Sequence, residues 1–310
     1  NKIKRFISKD SLILGSSNLD ILDKISKIIV SPGVPPSNAM LNEARSLDIP
    51  IITDLDIFFK ETTSKIILIT GTNGKSTVVR MLEDVLKKKY RNLSILVGGN
   101  IGVPVLYLLE SNPDVVILEV SSFQLHHTQN IKSNISVLLN LEEDHLDWHK
   151  TLESYYRAKK RVFENTNISI SGNNLVITES LDINFLTFFN GYESFILDKL
   201  NESWHEHNRI NLLSVLTVCF FFELKKKDYD LIQDKEWVEG FLVSLLNILK
   251  NFSFLPHRFE ILGKLNEVTY VNDSKATNID STRKAIISAE KLSTSGEIIL
   301  ICGGDSKGQN

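Results

Sequence analysis

A glycine-rich turn followed by lysine and serine carries the clearest chemical signal in the sequence. The turn, Gly71-Thr72-Asn73-Gly74-Lys75-Ser76-Thr77, stands between the apolar run Ile66–Ile69 and a segment with helical spacing that extends to about Lys88. Backbone N–H groups in such a turn bind phosphate oxygens, and the N-terminus of the following helix adds a partial positive charge. In this pattern Lys75 reaches the β- and γ-phosphates and the Ser76 hydroxyl binds Mg²⁺. The motif therefore predicts a nucleoside triphosphate site.

The spacing of this turn departs from the standard phosphate loop, which has glycine five residues before Gly74, where this sequence has Ile69. We therefore interpret the turn as a shortened variant. A plain glycine turn before a helix is the alternative, and the joint presence of strand, glycines, Lys-Ser and helix disfavours it. The loop alone does not separate a kinase, a GTPase, a motor or a ligase.

Ionisable side chains follow two other apolar runs of the chain. Glu119 lies near the end of Val115–Val120, and a carboxylate beside a phosphate loop completes a site for a hard cation. A buried glutamate paired with a lysine is the alternative. Asp144 and His145 follow Ile135–Leu139. His145 either binds a metal or orients a substrate, with Asp144 fixing its tautomer, or the segment is a solvated acidic turn.

Lys159 is predicted to lie on an inward helix face. Tyr155, Lys159 and Val162 are spaced as i, i+4 and i+7, so they share one side of a helix. A lysine among apolar neighbours is unusual in a protein interior. A surface lysine whose stem covers apolar groups is the alternative.

The elements that would hold these residues alternate strand and helix. The runs at Ile66–Ile69, Ser94–Val97, Val115–Val120 and Ile135–Leu139 lack polar alternation, which is typical of a parallel sheet covered on both faces. Helical spacing is found in three later segments: Leu152–Glu164, Ile210–Leu224 and Trp237–Leu249. Shorter α/β patterns flank this region, and Ile298–Cys302 is predicted to be a strand near the end of the chain. The fold class is therefore α/β, with a central phosphate-loop domain of parallel strands.

Composition narrows the functional classes. The chain has 310 residues, with 35 Lys+Arg, 38 Asp+Glu and a formal charge of −3, so nothing favours nucleic acid or an acidic membrane surface as a partner. Only Cys219 and Cys302 are present, which excludes a disulfide scaffold and favours the cytoplasm. No apolar run reaches the ~18 residues of a spanning helix. The first residue is not Met and the chain ends in a glycine turn, so we expect a piece of a longer protein.

Taken together, the motifs resemble the Mur ligase family. Besides the phosphate loop, the resemblance rests on five segments in the family's order: Ser31-Pro32-Gly33-Val34-Pro35, Leu118-Glu119-Val120-Ser121-Ser122-Phe123-Gln124-Leu125, Glu143-Asp144-His145-Leu146-Asp147, Leu255-Pro256-His257-Arg258-Phe259-Glu260 and Asn272-Asp273-Ser274-Lys275-Ala276-Thr277-Asn278. These segments resemble the branch that adds D-glutamate to UDP-N-acetylmuramoyl-L-alanine. Ligases that add a diamino acid or a dipeptide, and folylpolyglutamate synthase, share the loop but differ around the second and fourth segments.

The resemblance implies an architecture of three domains. Residues 1–62 would bind the UDP-linked substrate, residues 63–254 would bind ATP, and residues 255–310 would bind the amino acid. The outer two domains would be Rossmann-like and incomplete in this chain. The implied reaction belongs to peptidoglycan precursor synthesis, and so to cell-wall biogenesis, cell shape and cell division. ATP phosphorylates the carboxylate of UDP-N-acetylmuramoyl-L-alanine, and the amine of D-glutamate displaces phosphate from the acyl phosphate. A monomer is expected.

The resemblance also implies roles for individual residues. Lys75, His145 and Lys159 would be catalytic, and two Mg²⁺ ions would bind, one at Ser76 and Glu119 and one at His145 and a carbamylated Lys159. The residues implied to contact ATP are the loop 71–77, Asn208 and Asn211 at adenine, Arg258 at the γ-phosphate and Asp273 at the ribose. Those implied to contact the UDP-linked substrate are Ser31, Pro32, Gly33, Asn100, Ser121, Gln124 and His145. Lys307 would approach D-glutamate.

Two readings other than this ligase stay open from the sequence. A nucleotide-binding fragment would bind ATP without forming an acyl phosphate. A sister ligase would accept a different amino acid. The family's opening glycine turn and most of its third domain have no counterpart in this chain, and activity requires them in the parent protein.

Overall fold

The structure is a computed structural model that describes residues 13, 19–172, 175–177, 182–184, 188–189, 191–200, 204, 208–224, 226–292 and 296–305. The first described part forms a small α/β unit. Two short strands, β1 (Ile28–Ile29) and β2 (Ile51–Ile52), pair in parallel. Helix α1 (Ala39–Ser46) connects them, and Asn38 caps it through a bond from the Met40 N–H. Helix α2 (Asp54–Glu61), which was not predicted, leads from β2 to the central unit.

A seven-stranded sheet forms the centre of the chain. Its strands are β3 (Lys65–Thr70), β4 (Ile95–Gly99), β5 (Val115–Glu119), β6 (Ser133–Leu138), β7 (Thr166–Ser171), β8 (Leu175–Ile177) and β9 (Asp182–Asn184). They lie in the order β4-β5-β3-β6-β7-β8-β9, and the first five in this order are parallel. Strands β8 and β9 pair antiparallel at one edge. This confirms the predicted parallel sheet.

Helices cover both faces of this sheet. They are α3 (Lys75–Lys89), α4 (Val105–Ser111), α5 (Ser122–His127), α6 (Leu146–His149), α7 (Leu152–Lys160), α8 (Glu193–Leu197), α9 (Arg209–Glu223) and α10 (Lys235–Leu249). On β3, Ile67 and Ile69 pack into one apolar cluster while Ile66 and Leu68 pack into the other. Burial on both faces explains why these strands are continuous apolar runs.

Helix α9 is the most deeply buried helix of the central unit. It contains the longest apolar run of the sequence, and residues from Asn211 to Phe221 are all buried. It packs against α3 and β7. Among the described residues no helix is both long and apolar enough to cross a membrane. The run therefore belongs to the core of the central unit.

The last described part is an antiparallel hairpin followed by a helix. The hairpin consists of β10 (Glu260–Leu265) and β11 (Val268–Asn272), and helix α11 (Ile279–Leu292) follows. The expectation of a strand over Ile298–Cys302 was wrong, because this segment is exposed and irregular. None of the described strands pairs with it, and an unpaired segment gains no ladder hydrogen bonds.

Asp56 joins the first unit to the central unit. Its Oδ2 accepts bonds from the Thr53 N–H (2.8 Å) and hydroxyl (2.9 Å), which caps α2. Its Oδ1 accepts bonds from the N–H groups of Gln129 (2.7 Å) and Asn130 (2.8 Å), beyond the end of α5. One buried carboxylate therefore satisfies backbone donors on both sides of the junction.

Replacing Asp56 with Ala should destabilise the protein. Three backbone N–H groups would lose their acceptor, and we expect the free energy of unfolding to fall by about 2–4 kcal/mol. Urea unfolding followed by circular dichroism measures this. Glu110→Ala, an exposed change on α4, is the control and should stay within about 0.5 kcal/mol of wild type. Equal losses in the two variants would contradict this role of Asp56.

Candidate active site

The glycine-rich turn connects β3 to α3, as predicted. Gly74 is the N-cap of α3 and has φ +86°, which favours glycine. A Cβ atom at Gly74 would lie 2.3 Å from Oδ1 of Asn211 on α9. The structure thus places Asn211, which was expected to contact adenine, against the phosphate loop. Asn208 is close by, since the Asn211 amide donates to its Oδ1 (3.2 Å). Asn208 occupies the N-cap position of α9, but its side chain makes no capping bond.

Asn140, which was not identified as a site residue from the sequence, forms two hydrogen bonds with the phosphate loop. Its Oδ1 accepts from the Asn73 N–H at 2.8 Å, and its amide donates to the Asn73 carbonyl at 3.0 Å. Thr72 is held in a similar way, because its hydroxyl and the backbone of Glu142 exchange bonds of 3.0 and 3.1 Å. The Lys75 ammonium donates to the carbonyls of Gly71 (2.8 Å) and Thr72 (2.9 Å). These contacts fix the loop against the segment that follows β6.

Ser76, Glu119 and Asn100 form a connected polar group beside the loop. The Ser76 hydroxyl donates to Oε2 of Glu119 at 2.8 Å, and the Asn100 amide donates to Oε1 at 2.8 Å. Glu119 is buried at the end of β5. A hydroxyl and a carboxylate are ligands that suit Mg²⁺. The first predicted cation site therefore has its two donors in contact.

Lys159 is 2% exposed and lies on α7, in the interior as predicted. Its Nζ donates to the Gly71 carbonyl at 2.7 Å and lies 4.9 Å from the centroid of the Tyr155 ring. Burial lowers the pKa of Lys159 well below its ordinary value, and the nearby Lys75 ammonium lowers it further, while Asp144 and Glu119 oppose the shift. A surface lysine is thereby excluded, and a neutral amine is favoured.

His145 and Asp144 lie at the start of α6. His145 has φ +54°, and its Nε2 lies 3.6 Å from Oδ2 of the buried Asp144. The His145 ring packs edge-on against Phe123, with centroids 4.8 Å apart. Asp144 is therefore buried in this turn, while Glu143 and Asp147 on either side are exposed. No group of three or more metal-binding His, Cys, Asp or Glu side chains occurs in the described part of the chain.

A cluster of histidines and aromatic rings, which the sequence analysis did not predict, joins the first unit to this turn. His127 Nε2 lies 2.8 Å from the Val34 carbonyl, and the Trp148 indole donates to the Gly33 carbonyl at 3.3 Å. Burial lowers the pKa of His149 to about 3 and that of His126 to about 4. The predicted uridine segment 31–33 is therefore anchored to the central unit through Gly33, and His127 contacts the neighbouring Val34.

The remaining predicted residues are brought only partly together. Ser121 and Gln124 form the capping box of α5, in which Oε1 of Gln124 accepts from the Ser121 N–H at 3.0 Å. Asp273 accepts a bond from the Phe259 N–H at 3.0 Å. Burial lowers the pKa of Arg258, and the negative charges of Glu119 and Asp273 oppose this shift. Lys307 lies outside the described residues.

The sequence of this chain is similar to those of known ligases. Residues 69–190 match the sequence profile of the Mur ligase middle domain. A UDP-N-acetylmuramoylalanine--D-glutamate ligase of Buchnera aphidicola subsp. Acyrthosiphon pisum is 37% identical over 320 residues, which cover 96% of this chain and 68% of that protein. The ligase of the same name from Shewanella oneidensis is 32% identical, with coverages of 96% and 68%. The chain thus spans about two thirds of the length of these relatives.

Solved structures match this chain at lower sequence identity. UDP-N-acetylmuramate-alanine ligase MurC from Thermotoga maritima has a TM-score of 0.49 and 18% identity, covering 86% of this chain and 64% of that one. MurF ligase from Thermotoga maritima, in complex with ADP, has a TM-score of 0.47 and 15% identity, covering 91% and 64%.

The buried lysine should make stability depend on pH. Because the native pKa of Lys159 lies below its unfolded value of about 10.4, the unfolded state binds more protons between the two values, and wild-type stability should rise with pH there. Lys159→Met should lack this rise and be at least as stable as wild type near pH 7. Chemical unfolding at several pH values in bicarbonate-free buffer measures this. Lys160→Met, at the exposed next position, should keep the wild-type dependence of stability on pH. If both variants show the same dependence, Lys159 is not its cause.

Proposed function

This chain belongs to the Mur ligase family, in its D-glutamate-adding branch, and we propose that the residues described above carry out that ligation. The enzyme is an ATP-dependent amide ligase that joins D-glutamate to UDP-N-acetylmuramoyl-L-alanine in peptidoglycan synthesis. One observation supports the assignment of the site most directly. The buried Lys159 and the phosphate-loop Lys75 both donate to the Gly71 carbonyl, so helix α7 lies against the phosphate loop.

Transfer of a phosphoryl group requires positive charge around the transferring oxygens, because negative charge is spread over them in the transition state. A carboxylate oxygen of the acceptor attacks the γ-phosphorus of ATP, the bond to the bridging oxygen breaks, and ADP leaves. Lys75 supplies charge from the phosphate loop. Arg258, whose pKa is influenced by the charge of Glu119, would supply it from the last described unit. The amine of D-glutamate then attacks the acyl carbon, and inorganic phosphate leaves as the nitrogen loses a proton.

The hydroxyl of Ser76 and the carboxylate of Glu119 are ligands that suit magnesium. Ser76 and Glu119 would hold one ion, while His145 and a carbamylated Lys159 would hold the second. Bound Mg²⁺ neutralises phosphate charge and orients the phosphate oxygens. A cationic lysine cannot bind a cation, but a neutral amine can add CO₂ and lose a proton to become a carbamate. The lowered pKa of Lys159 supports this modification, because it favours the neutral amine.

The substrates are assigned to the remaining predicted residues. Segment 31–33 would contact uridine, and Asn100, Ser121 and Gln124 would contact the muramoyl-alanine part. In the described structure these three side chains bond to Glu119 or to one another, so substrate binding would exchange those partners. Asn208 and Asn211 would contact adenine, Asp273 the ribose, and Lys307 the D-glutamate. A cytoplasmic monomer that binds no nucleic acid remains our expectation.

Phosphate release by the full-length parent protein tests the assigned reaction. ATP, Mg²⁺ and UDP-N-acetylmuramoyl-L-alanine are supplied with D-glutamate, L-glutamate or a diamino acid in turn, and the amide product is measured by mass spectrometry. Release with D-glutamate alone is expected. Release only with another amino acid would move the protein to a sister ligase, and ATP binding without any release would favour a non-catalytic nucleotide-binding protein.

Lys159→Ala should lower the ligation rate by at least about 100-fold, the size of effect expected when a group that holds charge in the transition state is lost. Added bicarbonate should not restore the rate, since no amine remains to be carbamylated. Lys160→Ala is the matched control and should retain near-wild-type turnover, because its side chain is exposed on the same helix. Near-wild-type turnover in Lys159→Ala would remove Lys159 from the site.

A further inference from the structure

We propose that Asn278 is a positioning residue, whose carboxamide fixes the start of α11 to the phosphate loop and to Asp144. This inference rests on the proposed function. Asn278 stands immediately before α11 and is buried. None of the roles assigned above includes it. Its importance follows from the partners of its two polar atoms.

The amide nitrogen of Asn278 reaches away from its own helix. It donates to Oδ1 of Asn73, in the phosphate loop, at 3.0 Å. It also donates to Oδ2 of Asp144, the neighbour of His145, at 3.3 Å. One NH₂ group thus contacts the two segments that are proposed to bind the phosphates and the second metal ion.

The amide oxygen of Asn278 faces its own helix instead. It accepts bonds from the N–H (2.9 Å) and hydroxyl (2.8 Å) of Ser281, which is the usual work of a residue at a helix start. The Asn73 amide also lies 3.5 Å from it. The next acid along the chain reinforces the contact, because the Asn73 amide donates to Oδ2 of Asp280 at 3.2 Å.

The different partners of the amide nitrogen and the amide oxygen explain why a carboxamide is needed at this position. Aspartate or serine would cap the helix equally well, since both are favoured in that position. Neither has a donor that reaches both Asn73 and Asp144, and an aspartate would place a second carboxylate against Asp144. Asparagine at this position therefore serves the contact between units and not only the helix.

The contact has a direct consequence for catalysis. The last described unit contributes Arg258 and Asp273 to the proposed ATP site, and α11 follows the segment that holds them. Placement of these groups relative to the phosphate loop depends on what joins the two units. A small error in position at this junction slows the transfer of a phosphoryl group more than it weakens binding.

Two substitutions separate this role from simple capping. Asn278→Asp and Asn278→Ser both keep an oxygen that caps α11, and both lose the amide donor. We expect kcat to fall by about 10- to 100-fold, with the larger loss in Asn278→Asp, because buried hydrogen bonds to a charged group are lost or replaced by repulsion. The KM for UDP-N-acetylmuramoyl-L-alanine should stay within about twofold, since its proposed contacts do not include this junction.

Ser281→Ala is the matched control. It removes the hydroxyl that bonds to the backbone carbonyl and Oδ1 of Asn278 but leaves the amide donor in place. We expect its kcat to remain within about twofold of wild type, because a weakened cap leaves the placement of catalytic groups unchanged. A kcat for Asn278→Asp and Asn278→Ser equal to that of Ser281→Ala would overturn the proposal.

Hydrogen exchange distinguishes this inference from the assigned reaction. If the wild-type protein makes no amide product, the reaction is wrong, but the junction can still be measured. Exchange of the backbone amides of residues 71–77 should become faster in Asn278→Asp and Asn278→Ser and stay unchanged in Ser281→Ala. Unchanged exchange in both Asn278 variants would refute the positioning role whether or not the protein is active.

Discussion

Two lysines share one carbonyl oxygen, and the candidate site is organised around that contact. Lys75 and Lys159 both donate to Gly71 O, at 2.8 and 2.7 Å, inside the protein. Two full positive charges so close together, one of them almost completely buried, would be costly. The structure reduces this cost by favouring the neutral form of Lys159. A neutral amine is also the form able to react with CO₂, so the lowered pKa of Lys159 also supports the proposed carbamylation.

The parallel sheet makes this contact possible. Ile69 of β3 pairs with Glu119 of β5, and Thr70 pairs with Leu138 of β6. The phosphate loop, the carboxylate and Asn140 therefore emerge side by side from the same edge of the sheet. Because backbone pairing holds these three strand ends close together, side chains at their ends can contact one another directly. Helices α7 and α9 then supply Lys159 and Asn211.

The sequence was sufficient to predict the location of residues whose type and position are both distinctive. The phosphate loop, Glu119 at a strand end and the inward Lys159 are of this kind, because an apolar strand or helical spacing marks their location. Asn140 and Asn278 were not found as site residues, since a single asparagine in a loop has no pattern that reveals a distant partner. The strand predicted at Ile298–Cys302 failed for a related reason: an apolar run becomes a strand only when a neighbour pairs with it.

The close approach of Asn211 to Gly74 has a consequence for the order of folding. Part of the surroundings of the phosphate loop is formed by Asn211 of α9, which is distant along the chain. Contacts of such long sequence separation form late, because the chain entropy of closing the intervening loop must be overcome first. The phosphate loop therefore has its native surroundings only when α9 is packed in the central core. A nucleotide that recognises the loop in those surroundings binds the native state selectively, and by mass action its free energy of binding then stabilises the whole central unit.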